Sequence, residues 1–298
     1  MRINTNISSL TAQEAAVNTN NRITTSLEKL STGLKINKAS DDASGLAIAD
    51  KLRTQVTSIN QGIDNGNSAI TLLQIADKSM AEQSTILDTI KAKLIQANTA
   101  TTSNDGKVSI AKDVNKLLEQ LDNIAKQTNY NGTSLLQATR GSASESKGLS
   151  FQVGENRGDV IKTKTIQANT FGLKLSSLRG RASAGALLST ASAAAVKTAG
   201  KFGATSFISA AQLAVDTAIT KLNGYRGDMG STQNQVESAV RNLMTQSTNV
   251  KAAESIIRDV DYAKESANFN KQNIISPAGS YAISQANAVQ QNVLKLLQ

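Results

Sequence analysis

The chain has 298 residues, with 32 Lys and Arg against 23 Asp and Glu, and it contains no Cys, His or Trp. These absences exclude zinc sites built on thiolate or imidazole ligands, thiol nucleophiles and Ser-His-Asp catalysis. Phe and Tyr together number only 9, which is few for one compact core of this length, so the composition predicts an elongated protein. We expect no catalytic, metal or cofactor site.

The positive charge is concentrated in the middle of the chain, where residues 140–201 carry 10 basic and 3 acidic side chains. A nucleic-acid site is one interpretation, resting on Lys162, Lys164, Lys174, Arg179, Arg181, Lys197 and Lys201. Because no cluster of aromatic side chains accompanies them, a solvated basic face is favoured. No apolar run is long enough to span a membrane, and the first residues lack the pattern of a cleavable secretory signal.

The two chain ends share one pattern, a narrow helical stripe of apolar residues among Asn, Thr, Ser and Gln. It occupies residues 1–40 and 280–298. A narrow stripe buries little and helix nucleation is costly, so we expect each end to be poorly ordered alone and to become helical against partners. The predicted assembly residues are Ile3, Ile7, Leu10, Leu27, Leu30, Leu34, Val289, Val293, Leu296 and Leu297.

A long helix is predicted from Gly45 to about Asn98, because its apolar residues fall three or four apart. Ser40, Asp41 and Asp42 precede it and offer N-cap oxygens. A turn over Thr99–Lys107 and a helix from Val108 to about Thr128 would complete an antiparallel helical hairpin.

The apolar period then changes to two. Leu149–Val153 and Val160–Ile166 flank a turn-rich segment and predict a β-hairpin. Residues 176–206 are rich in Ser, Ala, Gly and basic residues, which predicts an exposed connector. A second long helix is expected from Phe207 to about Arg258, packed on the first.

The predicted fold class is therefore mainly α, with long antiparallel helical rods, coiled-coil termini and one small β-hairpin. The predicted terminal domain comprises residues 1–44 and 259–298. A helical-rod domain with the hairpin takes residues 45–175 and 207–258, and residues 176–206 form the connector.

Several sequence blocks resemble one known family, the bacterial flagellins, over nearly the whole chain. In the N-terminal half they are Arg2–Ile7, Leu27–Asn37, Asp41–Ala49, Tyr130–Gly132 and Phe151–Gly154. In the C-terminal part they are Ile256–Asp261 and Gln290–Gln298, and all lie in the order found in that family.

This resemblance implies a subunit of the flagellar filament, exported unfolded by the flagellar type III apparatus and located outside the cell. The termini would form the inner tube of a helical homopolymer and be disordered in the monomer, and large outer domains would be nearly absent. The implied partners are other copies of the chain, an export chaperone, the filament cap and the hook-junction proteins.

Two positions depart from the family pattern. Pro277 stands where relatives more often keep a helix former, and it predicts a kink or break, a hinge between a helix over Ile256–Asn273 and the terminal helix. At the receptor-facing positions Thr89, Ala92 and Lys93, relatives that strongly stimulate the vertebrate Toll-like flagellin receptor carry Arg, Glu and Leu. Loss of an interface arginine predicts weak recognition by that receptor.

Two further alternatives are weighed against this interpretation, an enzyme and, within the filament class, a hook-junction protein. An enzyme would need acid and base groups, for which Asp41 with Asp42 and Asp259 with Asp261 are available, but helix capping or subunit salt bridges are favoured for both pairs. A hook-junction protein shares coiled-coil termini, yet would not normally carry the full Asp41–Ala49 and Gln290–Gln298 blocks.

Overall fold

The computed structural model describes residues 5–137, 148–187 and 205–296. In these ranges the helices are α1 (Ile7–Thr32), α2 (Ala43–Asn98), α3 (Asn104–Gln127), α4 (Ser176–Leu187), α5 (Thr205–Arg258) and α6 (Tyr262–Leu296). The strands are β1 (Asn129–Tyr130), β2 (Thr133–Ser134), β3 (Ser150–Gln152) and β4 (Val160–Lys162). The predicted mainly α fold is confirmed.

The chain divides into two compact units, one formed by Met1–Thr57 with Gln246–Gln298 and the other by Ser58–Thr245. We call them the terminal unit and the middle unit. The predicted domain boundaries, at residues 44/45 and 258/259, lie nearer to the chain ends than these.

The middle unit is organised around an antiparallel pair formed by α2 and α5. Arg226 Nε donates to Asp77 Oδ1 at 2.9 Å, and Lys91 Nζ lies 2.6 Å from Asp216 Oδ1. Large apolar side chains on the two helices are almost fully buried, among them Leu73, Met80, Leu87, Leu94, Leu222, Met229 and Val236. Both long helices were predicted, and each begins two residues earlier than expected.

The helix α3 turns back along α2, as the predicted helical hairpin requires. Gln83 Nε2 donates to Leu121 O at 3.1 Å, and Lys93 Nζ to Asp113 Oδ2 at 3.2 Å. The turn was predicted to extend to Lys107, but α3 already begins at Asn104. Ser103 caps it by accepting a hydrogen bond from Gly106 N at 3.1 Å.

The predicted β-hairpin is present but short, with Phe151 paired to Ile161 between antiparallel β3 and β4. A second hairpin, β1 with β2, was not predicted, so the expectation of one hairpin is wrong. Its two-residue turn holds Asn131 at φ 48° and Gly132 at φ 80°. Asn-Gly favours this turn because both residues tolerate positive φ.

The prediction that residues 176–206 form an exposed connector is wrong for its first part, while residues 188–204 lie outside the described residues. Helix α4 packs on α3 and buries Leu178 and Ala182 almost completely. Two leucines nine residues apart among Ala, Ser and Gly were too weak a periodic signal to predict this packing.

The predicted break at Pro277 is also wrong, because α6 continues through it from Tyr262 to Leu296. Pro277 is exposed, and the carbonyl of exposed Asn273, which loses its helical donor, can bond to water. The interruption lies at residues 259–261 instead, so Ile256–Asn273 is not one helix.

Candidate assembly surface

Helices α1 and α6 pack against each other as an antiparallel pair in the terminal unit. Hydrogen bonds join them near both ends and in the middle. Asn6 Nδ2 donates to Ala286 O at 3.1 Å, and Ser276 Oγ donates to Asn20 Oδ1 at 3.4 Å. Ser26 Oγ also donates to the carboxylate of Glu265.

Half-buried or buried positions recur along both helices at alternating steps of three and four, which is the heptad spacing of a coiled-coil seam. On α1 they are Ser9, Ala12, Ala16, Thr19, Ile23, Ser26 and Leu30. On α6 they are Glu265, Phe269, Gln272, Ser276, Gly279, Ile283 and Ala286. Most of these side chains are small or polar, so the seam buries little apolar area.

The larger apolar side chains of the pair mostly lie off this seam and are exposed. On α1, Ile7, Leu10, Val17 and Leu27 are 54–65% exposed. On α6 the exposed fraction runs from 40% at Ile275 to 73% at Tyr281, the set being Tyr262, Ile274, Ile275, Tyr281 and Val289. Exposed apolar side chains in such numbers are typical of interaction surfaces.

The predicted assembly residues fall into three groups. Ile7, Leu10, Leu27 and Val289 are exposed on this helix pair. Leu30 and Leu34 are half-buried, Leu30 in the seam and Leu34 in the turn after α1. Ile3 and Leu297, and the side chains of Val293 and Leu296, lie outside the described residues; the assembly role of all ten stays a prediction.

Sequence reasoning missed Ile274, Ile275 and Tyr281, which belong to the same exposed set. They lie within four residues of Pro277. Because a break was expected at Pro277, the segment was not treated as one helix with a continuous exposed face. Large apolar residues within a polar helix were the available signal.

The turns that follow α1 and α5 are tied together beside this pair. Gly33 ends α1 at φ 75°, and Leu34 forms an antiparallel bridge with Asp259. Val260 N donates to Gly33 O at 3.0 Å. The positive φ favours glycine here, and a Cβ on residue 33 would also crowd the Tyr262 hydroxyl oxygen at 3.1 Å.

Three of the four carboxylates considered as acid and base groups accept hydrogen bonds from the backbone, and the fourth, Asp259, accepts from the Ser255 hydroxyl at 2.5 Å. Asp42 Oδ1 accepts from Gly45 N at 2.9 Å and caps α2, and Asp261 Oδ1 accepts from Lys264 N at 3.1 Å near the start of α6. Asp41 accepts from the N–H groups of Lys38 and Asn37, which lowers the pKa of its carboxyl.

In the described part of the chain no group of three or more Asp and Glu is placed to hold a metal ion. No helix within the described ranges is long and apolar enough to cross a membrane.

Two of the basic residues considered for nucleic-acid binding pair with carboxylates, Lys164 with Asp228 at 2.8 Å and Arg179 with Asp122.

The receptor-facing positions lie on α2 in the middle unit. Thr89 and Ala92 are exposed, and Thr89 Oγ1 donates to Thr85 O at 2.9 Å. Lys93 is half-buried and its Nζ lies 3.2 Å from Asp113 Oδ2. Lys93 is therefore already paired within the subunit.

Comparison with known proteins gives consistent matches along the chain. The family model for the bacterial flagellin N-terminal helical region matches residues 3–140, and that for the C-terminal helical region matches residues 213–297. The chain is similar to the flagellin of Bacillus subtilis (strain 168), at 36% identity over 307 residues. It is also similar to a flagellar filament 33 kDa core protein of Treponema phagedenis, at 33% identity over 302 residues. Both alignments cover 100% of this chain and of the relative.

One solved structure, assigned provisionally as a flagellar hook-associated protein from Vibrio parahaemolyticus, has a TM-score of 0.57 at 12% identity. The match covers 73% of this chain and 99% of the other, and it shows similarity of fold alone. The two family models and the full-length relatives decide the family, so this chain belongs to the bacterial flagellins, a family of structural, non-enzymatic filament subunits.

Proposed function

We propose that this flagellin polymerises through the exposed apolar faces of α1 and α6 into an extracellular filament that serves swimming motility. The observation that carries the proposal is the arrangement in the terminal unit, where mostly small and polar residues form the seam within the chain. The larger apolar side chains remain uncovered.

The energetics favour coupling between polymerisation and ordering of the ends. Burying one Leu, Ile or Val side chain stabilises by roughly 1.5–3 kcal/mol. The α1–α6 seam alone provides few such side chains to offset the conformational entropy of two helices. Neighbouring copies that cover Ile7, Leu10, Val17 and Leu27 would supply the missing burial.

Export and partners belong to the same proposal. Weakly held ends would make the monomer easy to pass unfolded through a type III apparatus. An export chaperone, the filament cap and the hook-junction proteins would engage the chain before or during polymerisation. Recognition by the vertebrate Toll-like flagellin receptor is expected to be weak.

Truncation tests the role of the ends directly. Proteins lacking residues 1–30 or 282–298 should keep a folded middle unit and form no filaments on electron micrographs after seeding. Normal filaments from either protein would refute the proposal. Seeded growth of the intact protein to indefinite length separates a filament subunit from a junction protein, which stops after limited growth.

A matched pair of single substitutions localises the effect to the terminal unit. Leu27→Ser removes an apolar side chain that is 55% exposed on α1, and Leu213→Ser removes one that is 69% exposed on α5 in the middle unit. We expect the first to raise the monomer concentration needed for growth much more than the second. Equal effects would argue against a special role of the terminal helices.

A further inference from the structure

Phe171 protrudes from a turn in the middle unit whose neighbouring residues are buried. Its side chain is 60% exposed, whereas Asn169, Thr170 and Leu173 are 7%, 4% and 1% exposed. Of the other phenylalanines with described side chains, Phe151, Phe207 and Phe269 are each half-buried. Phe171 is therefore the one phenylalanine in the described part of the chain that the fold leaves uncovered.

The turn that carries Phe171 is fixed by hydrogen bonds on both sides. Asn169 Oδ1 accepts from Gly172 N at 2.7 Å, and Asn169 O accepts from Leu173 N at 2.9 Å. Thr170 O accepts from Leu175 N at 2.8 Å. The position of the backbone at Phe171 is thus determined before any partner arrives.

Tertiary contacts hold the same turn against two helices. The backbone N of Thr170 donates to Asp122 Oδ1 on α3 at 2.8 Å, and Lys221 Nζ on α5 donates to Gly172 O at 2.8 Å. A Cβ on residue 172 would lie 2.3 Å from Gln167 O, so only glycine allows the backbone to pass this close.

A large aromatic side chain on a preorganised turn has the properties of an interface anchor. Phe buries about 150–250 Å² when it is fully covered, and anchors of this kind dominate binding energy. Little conformational freedom of the backbone remains to be lost on binding, which removes a common cost of association.

We propose that Phe171 is an anchor that inserts into a second copy of this chain when subunits pack in the filament. The inference rests on the proposed function, because a subunit of a homopolymer meets copies of itself more often than any other protein. The surface that carries Phe171 and the surface that receives it would be different parts of the subunit. Such head-to-tail contacts build helical polymers. The anchor lies in the middle unit, so it would strengthen filaments whose formation depends on the terminal helices.

Tryptophan fluorescence provides a direct test, since the chain contains no Trp. Phe171→Trp keeps an aromatic side chain, and Glu155→Trp, on the exposed turn between β3 and β4, serves as the matched control. On polymerisation we expect the emission of the Phe171→Trp protein to shift to shorter wavelength and acrylamide quenching to fall several-fold. The control should change much less.

Each outcome of this test has a meaning. If the Phe171→Trp filaments are quenched as readily as the monomer, or the control changes equally, Phe171 is not an anchor while the proposed function stands. If the unchanged protein forms no filaments, the proposed function itself fails. A folded Phe171→Trp monomer that cannot polymerise, beside a control that can, supports an anchor in a closely fitted contact.

A second variant tests the energetic contribution. Phe171→Ser should leave thermal unfolding of the monomer nearly unchanged, because the side chain is mostly exposed. It should raise the monomer concentration in equilibrium with filaments by about tenfold or more. An unchanged equilibrium concentration, measured beside Glu155→Ser, would overturn the inference.

Discussion

Arg179 on α4 forms an ion pair with Asp122 on α3, whose side chain is only 7% exposed. Asp122 also accepts hydrogen bonds from Thr170 N at 2.8 Å and Thr170 Oγ1 at 2.9 Å. One carboxylate thus joins α3, α4 and the turn that carries Phe171. These contacts of Asp122, which we call the Asp122 clamp, explain how α4, a helix rich in Ala and Ser, is held against α3.

The clamp predicts a strongly non-additive pair of substitutions. Asp122→Ala should lower the free energy of unfolding of the middle unit by about 3 kcal/mol, because it leaves a buried N–H without its acceptor. Arg179→Ala should cost about 1 kcal/mol, since Arg179 is 42% exposed and solvent screens its charge. The double variant should resemble Asp122→Ala alone in urea unfolding. Additive losses would show that the two side chains act independently.

A close approach of α2 to α5 predicts the effect of a single added methyl group. A Cβ on Gly66 would lie 2.4 Å from Val240 Cγ2, so Gly66→Ala should destabilise by about 1–3 kcal/mol through overpacking. Adding Val240→Ala should recover part of this loss in thermal unfolding. The control is Gly230→Ala on α5, where an added Cβ would meet no atom within 4 Å apart from the adjacent backbone of its own helix, and it should stabilise by roughly 0.5–1 kcal/mol. A destabilised Gly230→Ala protein with a neutral Gly66→Ala would contradict the packing described here.

The hydrogen bonds of Asp41 predict a pH dependence in the terminal unit. The N–H groups of Lys38 and Asn37 lower the pKa of Asp41 below its ordinary value of 3.8. Folded-state stability from this group is therefore fully present above about pH 4 and is lost as pH falls through the lowered pKa. Asp41→Asn should cost about 0.5 kcal/mol at neutral pH, because the group is exposed and screened. In thermal unfolding measured from pH 7 to pH 2, the stabilities of the unmodified protein and the Asp41→Asn variant should converge at the acidic end. A stability difference that stays constant with pH would show that ionisation of Asp41 is not its cause.

Receptor recognition is predicted to be weak and to be restored by changing three positions. The triple variant Thr89→Arg, Ala92→Glu and Lys93→Leu should increase signalling in a Toll-like receptor reporter assay with endotoxin-free monomer. A restored interface arginine commonly contributes 2 kcal/mol or more, about thirtyfold in affinity. Because Lys93→Leu also removes the contact with Asp113, the control is Asp113→Asn, which breaks that pair without adding the arginine. Strong signalling by the unmodified protein, or no gain in the triple variant, would defeat the prediction.

The sequence determined the helical framework of this protein. Apolar residues repeated at spacings of three and four over more than fifty positions predict α2 and α5, because a long run leaves no other regular structure that buries them together. The turn-rich segment between alternating residues likewise predicts the β3–β4 hairpin. The sequence blocks at both ends indicated the flagellin family, which the family models confirm.

Only the tertiary structure decided which apolar residues of the terminal helices face each other and which stay exposed. A heptad seam made mostly of small and polar residues gives a weak hydropathy signal, so the sequence emphasised the larger apolar residues, most of which lie beside it. Helix α4 and the Phe171 turn were likewise unpredicted, because their placement depends on Asp122 and Lys221, which lie far from them in the chain. Local periodicity determines where helices form, whereas contacts between distant residues determine which of their faces remain free to meet another subunit.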